Sequence, residues 1–122
     1  MKGFDHISEL SETHISVEKQ IDPSEPFFKG HYPEFPIYPG VFIIETVCQG
    51  IRQYQLERGH RVRLVEVLST RFIEPVLPGY LLESHCELIE QSYDTSKQLH
   101  VNSSCFCNKA KVSELKLLFE FE

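Results

Sequence analysis

The chain has 122 residues, enough for one domain with a single core and too few for two domains of ordinary size. Hydrophobic residues make up 41% and charged residues 25% of it, which is the balance of a folded protein and excludes general disorder. The formal net charge of -6 argues against non-specific attraction to nucleic acid or to an anionic membrane.

Neither a signal peptide nor a membrane span is indicated by the sequence. Residues 1–16 contain no long apolar run, and the longest such run in the chain, VFII at 41–44, is far too short to cross a bilayer. The sequence therefore predicts a cytoplasmic protein that does not insert into a membrane.

In chain order, the sequence predicts one strand, one long helix and then four more strands. Alternation of apolar and polar residues indicates the strands, and the clearest case is SELKLLFEF, where Leu115, Leu117 and Phe119 share one face. Turn residues separate neighbouring strands, as in EPVLPG, SYDTS and NKAK. The predicted strands span residues 13–21, 61–72, 80–90, 98–107 and 113–121.

The helix is predicted at residues 41–60, the only segment with a convincing helical period. Pro39-Gly40 stops the preceding extended loop, and Gly59 is placed to end the helix in a left-handed turn. One side of the helix is apolar, through Val41, Ile44, Val47, Cys48, Ile51 and Tyr54. Only the sheet can cover such a helix, so we expect an α+β fold in which a curved antiparallel sheet, with the four later strands in meander order, wraps around one central helix.

The four cysteines, Cys48, Cys86, Cys105 and Cys107, are too sparse for a disulfide framework in a chain that can bury a core. Cys105 and Cys107 lie two residues apart in a predicted strand, and a lone C-x-C is a weak metal signal. We interpret the cysteines as small buried apolar residues.

A proline-rich loop carries a histidine. Five of the seven prolines fall between Pro23 and Pro39, and they stiffen the loop without a ladder of hydrogen bonds. His31 lies in the middle of this loop, directly after Gly30. A histidine on a rigid mount suits proton transfer near neutral pH, although a packing or capping role remains the alternative.

Glu45 is the unusual residue of the helix. Gln49 and Arg52 lie on the same side, so Glu45 could begin an ordinary solvated stripe. Val41 and Phe42 border that stripe, which favours a subunit interface or a cleft, where burial would keep the carboxyl group protonated. A protonated carboxyl group can act as a general acid.

Gly40 opens the helix and adds a third element. The first N–H groups of a helix lack intrahelical acceptors and carry partial positive charge, so they can bind a developing oxyanion. A base, an acid and an oxyanion donor therefore fall within residues 31–45. This set suits proton abstraction next to a carbonyl group, followed by loss of a β-hydroxyl.

Three segments together resemble the β-hydroxyacyl-acyl-carrier-protein dehydratases, which have the hot-dog fold. The segment GHYPEFPIYPGVFIIETVCQ is similar to their active-site motif and keeps its histidine-to-glutamate interval. The segments RFIEPVLPGYLL and CNKAKVSELKLLFEF resemble their strand-turn-strand unit and last hairpin. The resemblance covers most of the chain from about Ser24 and implies one hot-dog domain over residues 1–122.

The resemblance implies a role for each matching residue. His31 would remove the C2 proton of a (3R)-hydroxyacyl thioester, and Glu45 would protonate the leaving C3 hydroxyl. The Gly40 N–H would hold the thioester oxygen, and Tyr38, Val41 and Phe42 would contact substrate. The product would be a trans-2-enoyl thioester.

The resemblance also implies partners. Two subunits of such proteins pair edge to edge and share their active sites, which implies a homodimer here and leaves open a trimer of dimers. The substrate would be carried by an acyl carrier protein on its 4'-phosphopantetheine arm, with no metal or organic cofactor. Carrier proteins are acidic, so a basic cluster is a candidate docking site, with a solvated helix end as the alternative. The cluster comprises Lys29, Arg52, Arg58, Arg61 and Arg63.

Departures from the family pattern leave the substrate open. Tyr38 replaces the usual methionine and Tyr32 the usual phenylalanine, and the N-terminus lacks the common Arg-Tyr-Pro-Phe segment. Acyl chain length, accompanying isomerisation and the pathway, whether fatty acid, polyketide or polyene biosynthesis, are not determined.

The sequence leaves two other functions open. A hot-dog thioesterase could use Glu45 to activate water, but His31 would then be unexplained. A non-catalytic hot-dog partner that binds acyl carrier protein would be free to lose His31 or Glu45, and both are present.

Overall fold

The computed structural model describes residues 3–25 and 38–122 of the chain. Within these residues the elements are β1 (His6–Glu9), β2 (His14–Gln20), α1 (Gly40–Glu57), β3 (Val62–Phe72), β4 (Leu81–Tyr93), β5 (Ser96–Cys107) and β6 (Ala110–Phe121). The six strands form one antiparallel sheet in the order β1-β2-β4-β5-β6-β3. A six-stranded antiparallel sheet packed on one helix confirms the predicted α+β hot-dog fold.

The strand order corrects two expectations. β4, β5 and β6 form the predicted meander, but β3 pairs with β6 at the sheet edge and not with β4, its neighbour in sequence. β2 takes the place beside β4, where the chain entering β4 is fixed by the Ile21 N–H donating to Tyr80 O at 2.9 Å. β1 was not expected, because its four residues are too short to show alternation and it forms by pairing with β2.

The core lies between α1 and the inner face of the sheet. Leu115, Leu117 and Phe119 are buried on that face, as the alternation in β6 predicted. The helix buries most of its predicted apolar side, but the assignment of Val41 to that side is wrong, since Val41 is 65% exposed. It lies in the first turn of the helix, at the margin of the part that the sheet covers.

The turns predicted at the end of the helix and before the last strand are confirmed. Gly59 ends the helix with a φ of 83°, and the His60 N–H donates to Gln55 O at 2.9 Å. Asn108 and Lys109 both have positive φ, at 51° and 67°, and form a tight hairpin turn between β5 and β6.

The cysteines are free and buried, as predicted. Burial raises the pKa of the Cys86 thiol to about 12 and the pKa values of Cys48 and Cys107 to about 11. These thiols therefore stay protonated at neutral pH and act as small core residues. In the part of the chain that the structure covers, no helix is long and apolar enough to cross a membrane.

Gly50 allows α1 to approach β2 closely. A Cβ atom at this position would lie 2.6 Å from Val17 Cγ2 and 2.7 Å from Val17 Cγ1, and Val17 is fully buried. We expect Gly50→Ala to lower the free energy of unfolding by about 1–2 kcal/mol, because overpacking outweighs the gain in helix propensity. Urea denaturation measures this, and Val17→Ala should relieve part of the loss in the double variant. Equal or higher stability of Gly50→Ala would contradict the close packing.

Candidate active site

The start of α1 forms one wall of an open groove of ≈ 520 Å³. Tyr38, Gly40 and Val41 line it from the helix side, and the segment from Phe72 to Val76 lines it from the sheet side. The Tyr38 N–H donates to Val76 O at 2.7 Å, which fixes the two walls relative to each other. Three of the predicted substrate-contacting residues therefore meet in one groove.

The helix N-terminus in this groove is open. Pro39 is the N-cap, with no side-chain cap and no acidic residue in the first turn. The first helical hydrogen bond is that of the Phe42 N–H to Pro39 O at 3.0 Å, and the N–H groups of Gly40 and Val41 have no acceptor among the described residues. Two donors with partial positive charge are thus available at the groove, as an oxyanion site requires.

Gly40 lies under an aromatic ring at the start of the helix. The sequence predicts that a glycine here lets a ligand approach the start of the helix. In the structure, the described side chain nearest to Gly40 is the ring of Phe72. A Cβ atom at Gly40 would lie 2.7 Å from Phe72 Cζ. Phe72 is itself 50% exposed, so its ring covers the glycine on one side and faces the groove region on the other.

Tyr38 forms a buried polar wall behind the groove. Its hydroxyl lies 3.3 Å from Thr46 Oγ1, and Thr46 donates to Phe42 O at 2.9 Å, so Tyr38 can donate to Thr46. Burial raises the pKa of the Tyr38 phenol, which therefore stays neutral. Phe42 packs against Tyr38 with ring centroids 5.7 Å apart and is not among the described residues that line the groove, so its substrate contact stays a prediction.

Glu45 lies one helical turn after Val41 and outside the groove. Its side chain is 51% exposed, so the described residues of one chain do not enclose it in a cleft. Gln49 Nε2 donates to Glu45 Oε1 at 2.9 Å, and Arg52 lies 3.7 Å from the same oxygen. These contacts match a polar stripe, and the interface interpretation depends on a second subunit.

An exposed apolar surface flanks Glu45 and includes the free edge of the sheet. β3 is the last strand in the sheet order, with a partner on one side only among the described strands. We call the exposed side chains of β3 and the adjoining helix face the edge surface: Val41, Leu56, Val65, Val67, Leu68 and Phe72. Exposed apolar side chains on an unpaired edge strand are a typical site for association with another chain.

Most of the predicted docking arginines are engaged in ion pairs. Arg52 pairs with Glu45, Arg58 lies 3.7 Å from Glu9, and Arg63 lies 2.7 Å from Glu120. Arg61 is exposed in the connection between α1 and β3. His31 and Lys29 lie outside the described residues, so the roles assigned to them stay predictions, as does docking at the arginines.

A buried ion pair was not anticipated from the sequence. Lys19 Nζ lies 3.3 Å from Glu25 Oε1, and the two residues are only 4% and 9% exposed. The sequence contained one indication of this burial. Lys19 follows Ile15 and Val17 at spacings of two residues in β2, so its side chain lies on the same buried face of the strand. Glu25 is the last described residue before the segment that carries His31.

Metal chemistry has no visible basis in the described part of the chain. No group of three or more His, Cys, Asp or Glu side chains in residues 3–25 and 38–122 could hold a metal ion.

Comparison with known proteins gives matches of sequence and of fold. Residues 7–113 match the ApeI-like family, described as ApeI dehydratase. The 3-hydroxyacyl-[acyl-carrier-protein] dehydratase FabZ of Pseudothermotoga lettingae is 41% identical over 95 residues, covering 76% of this chain and 68% of that protein. FabZ of Syntrophobacter fumaroxidans is 34% identical over 119 residues, covering 93% and 79%.

A solved structure shares the fold. The dehydratase heterocomplex ApeI:P from Xenorhabdus doucetiae contains a chain that superposes with a TM-score of 0.67, covering 96% of both chains. Its sequence identity is 19%, so this similarity concerns the fold alone.

Proposed function

The chain belongs to the ApeI-like dehydratase family, and from this membership we propose that it dehydrates 3-hydroxyacyl thioesters carried by an acyl carrier protein. The observation that carries the proposal is the pairing of an uncapped helix N-terminus in a groove with a carboxyl group on the same helix. FabZ relatives that match over most of the chain support the same reaction.

The proposed mechanism uses one base and one acid. His31 removes the C2 proton of the (3R)-hydroxyacyl thioester, and the negative charge that develops on the thioester oxygen is stabilised by the Gly40 N–H. The C3–O bond then breaks, and Glu45 gives its proton to the leaving hydroxyl, so water and a trans-2-enoyl thioester result. No metal or organic cofactor takes part, and the substrate's 4'-phosphopantetheine arm would enter along the groove.

A homodimer completes this site. The edge surface supports pairing of two β3 strands, because it joins an unpaired strand edge to exposed apolar side chains. Glu45, half exposed beside that surface, would then be covered by the second subunit and would face the partner's site. Burial of Glu45 in such an interface would favour its protonated form, which the acid role requires.

The test of function is product mass. The protein is incubated with 3-hydroxyacyl carrier proteins of several chain lengths, and the carrier is followed by intact-mass spectrometry. We expect the carrier to lose the mass of one water. Release of the free acid would instead indicate a thioesterase, and no mass change at any chain length would contradict both enzymatic functions and favour a carrier-binding partner.

A further inference from the structure

Gly3 and Gln49 form a hydrogen-bonded connection to Glu45. The Gly3 N–H donates to Gln49 Oε1 at 3.0 Å, and Gln49 Nε2 donates to Glu45 Oε1 at 2.9 Å. A glutamine amide has one acceptor atom and one donor atom, so an N–H on its oxygen requires its nitrogen to face the other way, toward Glu45. The contact spans 46 positions of the sequence and is therefore made by the fold rather than by the helix itself.

The segment that carries Gly3 is anchored to the sheet. The Asp5 N–H donates to Glu18 O at 2.8 Å, and Asp5 Oδ2 accepts the Gln20 N–H at 2.6 Å. β1 continues this attachment by pairing with β2. Gly3 is itself buried, so its N–H is held at a defined place beside α1.

The two carboxyl oxygens of Glu45 therefore differ in their hydrogen-bond and ion-pair partners. Oε1 accepts from Gln49 and lies 3.7 Å from Arg52, whereas Oε2 has no partner among residues 3–25 and 38–122. A donor on Oε1 also favours the form of the neutral acid in which Oε1 is the carbonyl oxygen and the proton resides on Oε2. The oxygen that can release a proton is thus the one left open to substrate.

We propose that Gly3 is a positioning residue for the proton donor. Its N–H fixes the amide of Gln49, and the amide fixes the carboxyl group of Glu45 with Oε2 outward. This inference rests on the proposed function of Glu45 as general acid. A Cβ atom at Gly3 would lie 2.8 Å from Gln49 Nε2 and closer still to the amide oxygen and carbon, so a larger residue at this position would displace the amide.

The test compares Gly3→Ala with wild type, with His6→Ala as a control on the same segment, where the side chain is exposed. In Gly3→Ala the added methyl group displaces the Gln49 amide, and we expect kcat to fall about tenfold with KM changed less than about twofold. NMR of the Gln49 side-chain amide and of the Glu45 Cδ carbon should show both resonances shifted. His6→Ala should leave rate and resonances unchanged.

A second variant covers the case in which Gly3→Ala folds poorly. Gln49→Met keeps the side-chain length and removes both hydrogen bonds, and we expect the same loss in kcat. The double variant should be no worse than either single variant, because both interrupt one connection. Additive losses, or a shifted amide with unchanged kcat, would overturn the proposal.

The NMR measurement separates this inference from the proposed function. If the wild-type protein dehydrates no substrate, the proposed function fails, yet a shift of the Glu45 resonance in Gly3→Ala still supports the positioning contact. An unshifted Glu45 resonance overturns the contact whatever the activity.

Discussion

A mixture of His31→Ala and Glu45→Gln protomers is expected to recover about one quarter of wild-type dehydratase activity, although each variant alone loses about 10²–10⁴-fold in kcat. The single losses follow from removal of the base or the acid. The recovery follows from geometry, because half of randomly paired dimers are mixed and one of the two sites in a mixed dimer retains both groups. Steady-state rates after subunit exchange, with exchange checked by native mass spectrometry, measure it.

The matched control for the acid is Glu57→Gln. Glu57 accepts a hydrogen bond from Gln53 at 3.1 Å, so it repeats the glutamine-glutamate contact of Glu45 on an exposed part of the same helix. We expect its kcat to stay within about twofold of wild type. Single variants that keep full activity would contradict the acid and base roles. Mixed dimers that stay inactive after proven exchange would show that the site does not join two subunits.

The mixing experiment matters because the described residues of one chain leave the Glu45 side chain half exposed. The sequence indicated this through Val41 and Phe42, apolar residues beside a carboxylate. The structure adds that Val41 is exposed and lines the same groove as Phe72, an exposed residue at the end of β3. Each subunit therefore has an apolar surface next to Glu45 that could form an interface. Burial of Glu45 would require a second copy of the chain bound to that surface.

Features set by near neighbours in sequence were predictable. The helix ends at Gly59 because a left-handed residue is needed there, and the β5-β6 turn forms at Asn108 and Lys109 because both adopt positive φ. The alternation of β6 likewise specified its buried face. In each case the preference is decided within a few residues.

Features that depend on distant contacts were not predictable. Nothing within β3 distinguishes pairing with β4 from pairing with β6, because both are antiparallel and both would use the same alternation. The Gly3 contact to Gln49 likewise appears only when the N-terminal segment is placed against α1. The order of strands and the contacts of glycines are decided by packing of the whole chain, and their local signal is weak.

The buried ion pair between Lys19 and Glu25 carries the largest expected effect on stability. Both charges are removed from water, and Glu25 Oε2 has no hydrogen bond among the described groups. Desolvation of the two ions is costly, so the pair is tolerated because each charge neutralises the other. Removal of Lys19 leaves the Glu25 carboxylate buried without its cationic partner among the described residues.

We expect Lys19→Met to lower the free energy of unfolding by about 3–5 kcal/mol. Glu25→Met should lower it by less, because the Lys19 charge also interacts with Asp22. The double variant Lys19→Met with Glu25→Met should lie within about 1 kcal/mol of wild type, because no buried charge remains. Urea denaturation followed by circular dichroism measures all three. Lys116→Met, at an exposed lysine of β6, is the control and should change stability by less than about 0.5 kcal/mol.

The comparison of single and double variants decides what the pair does. Strong coupling, with a stable double variant, means that the charges are matched to each other and are not a net source of stability. A Lys19→Met variant within about 1 kcal/mol of wild type would mean that the Glu25 carboxylate is hydrated in solution, contrary to its burial. Glu25 directly precedes the segment with His31, so a double variant that is stable but slow in dehydration would assign the pair to placement of that segment. A double variant with full activity would limit its role to the core.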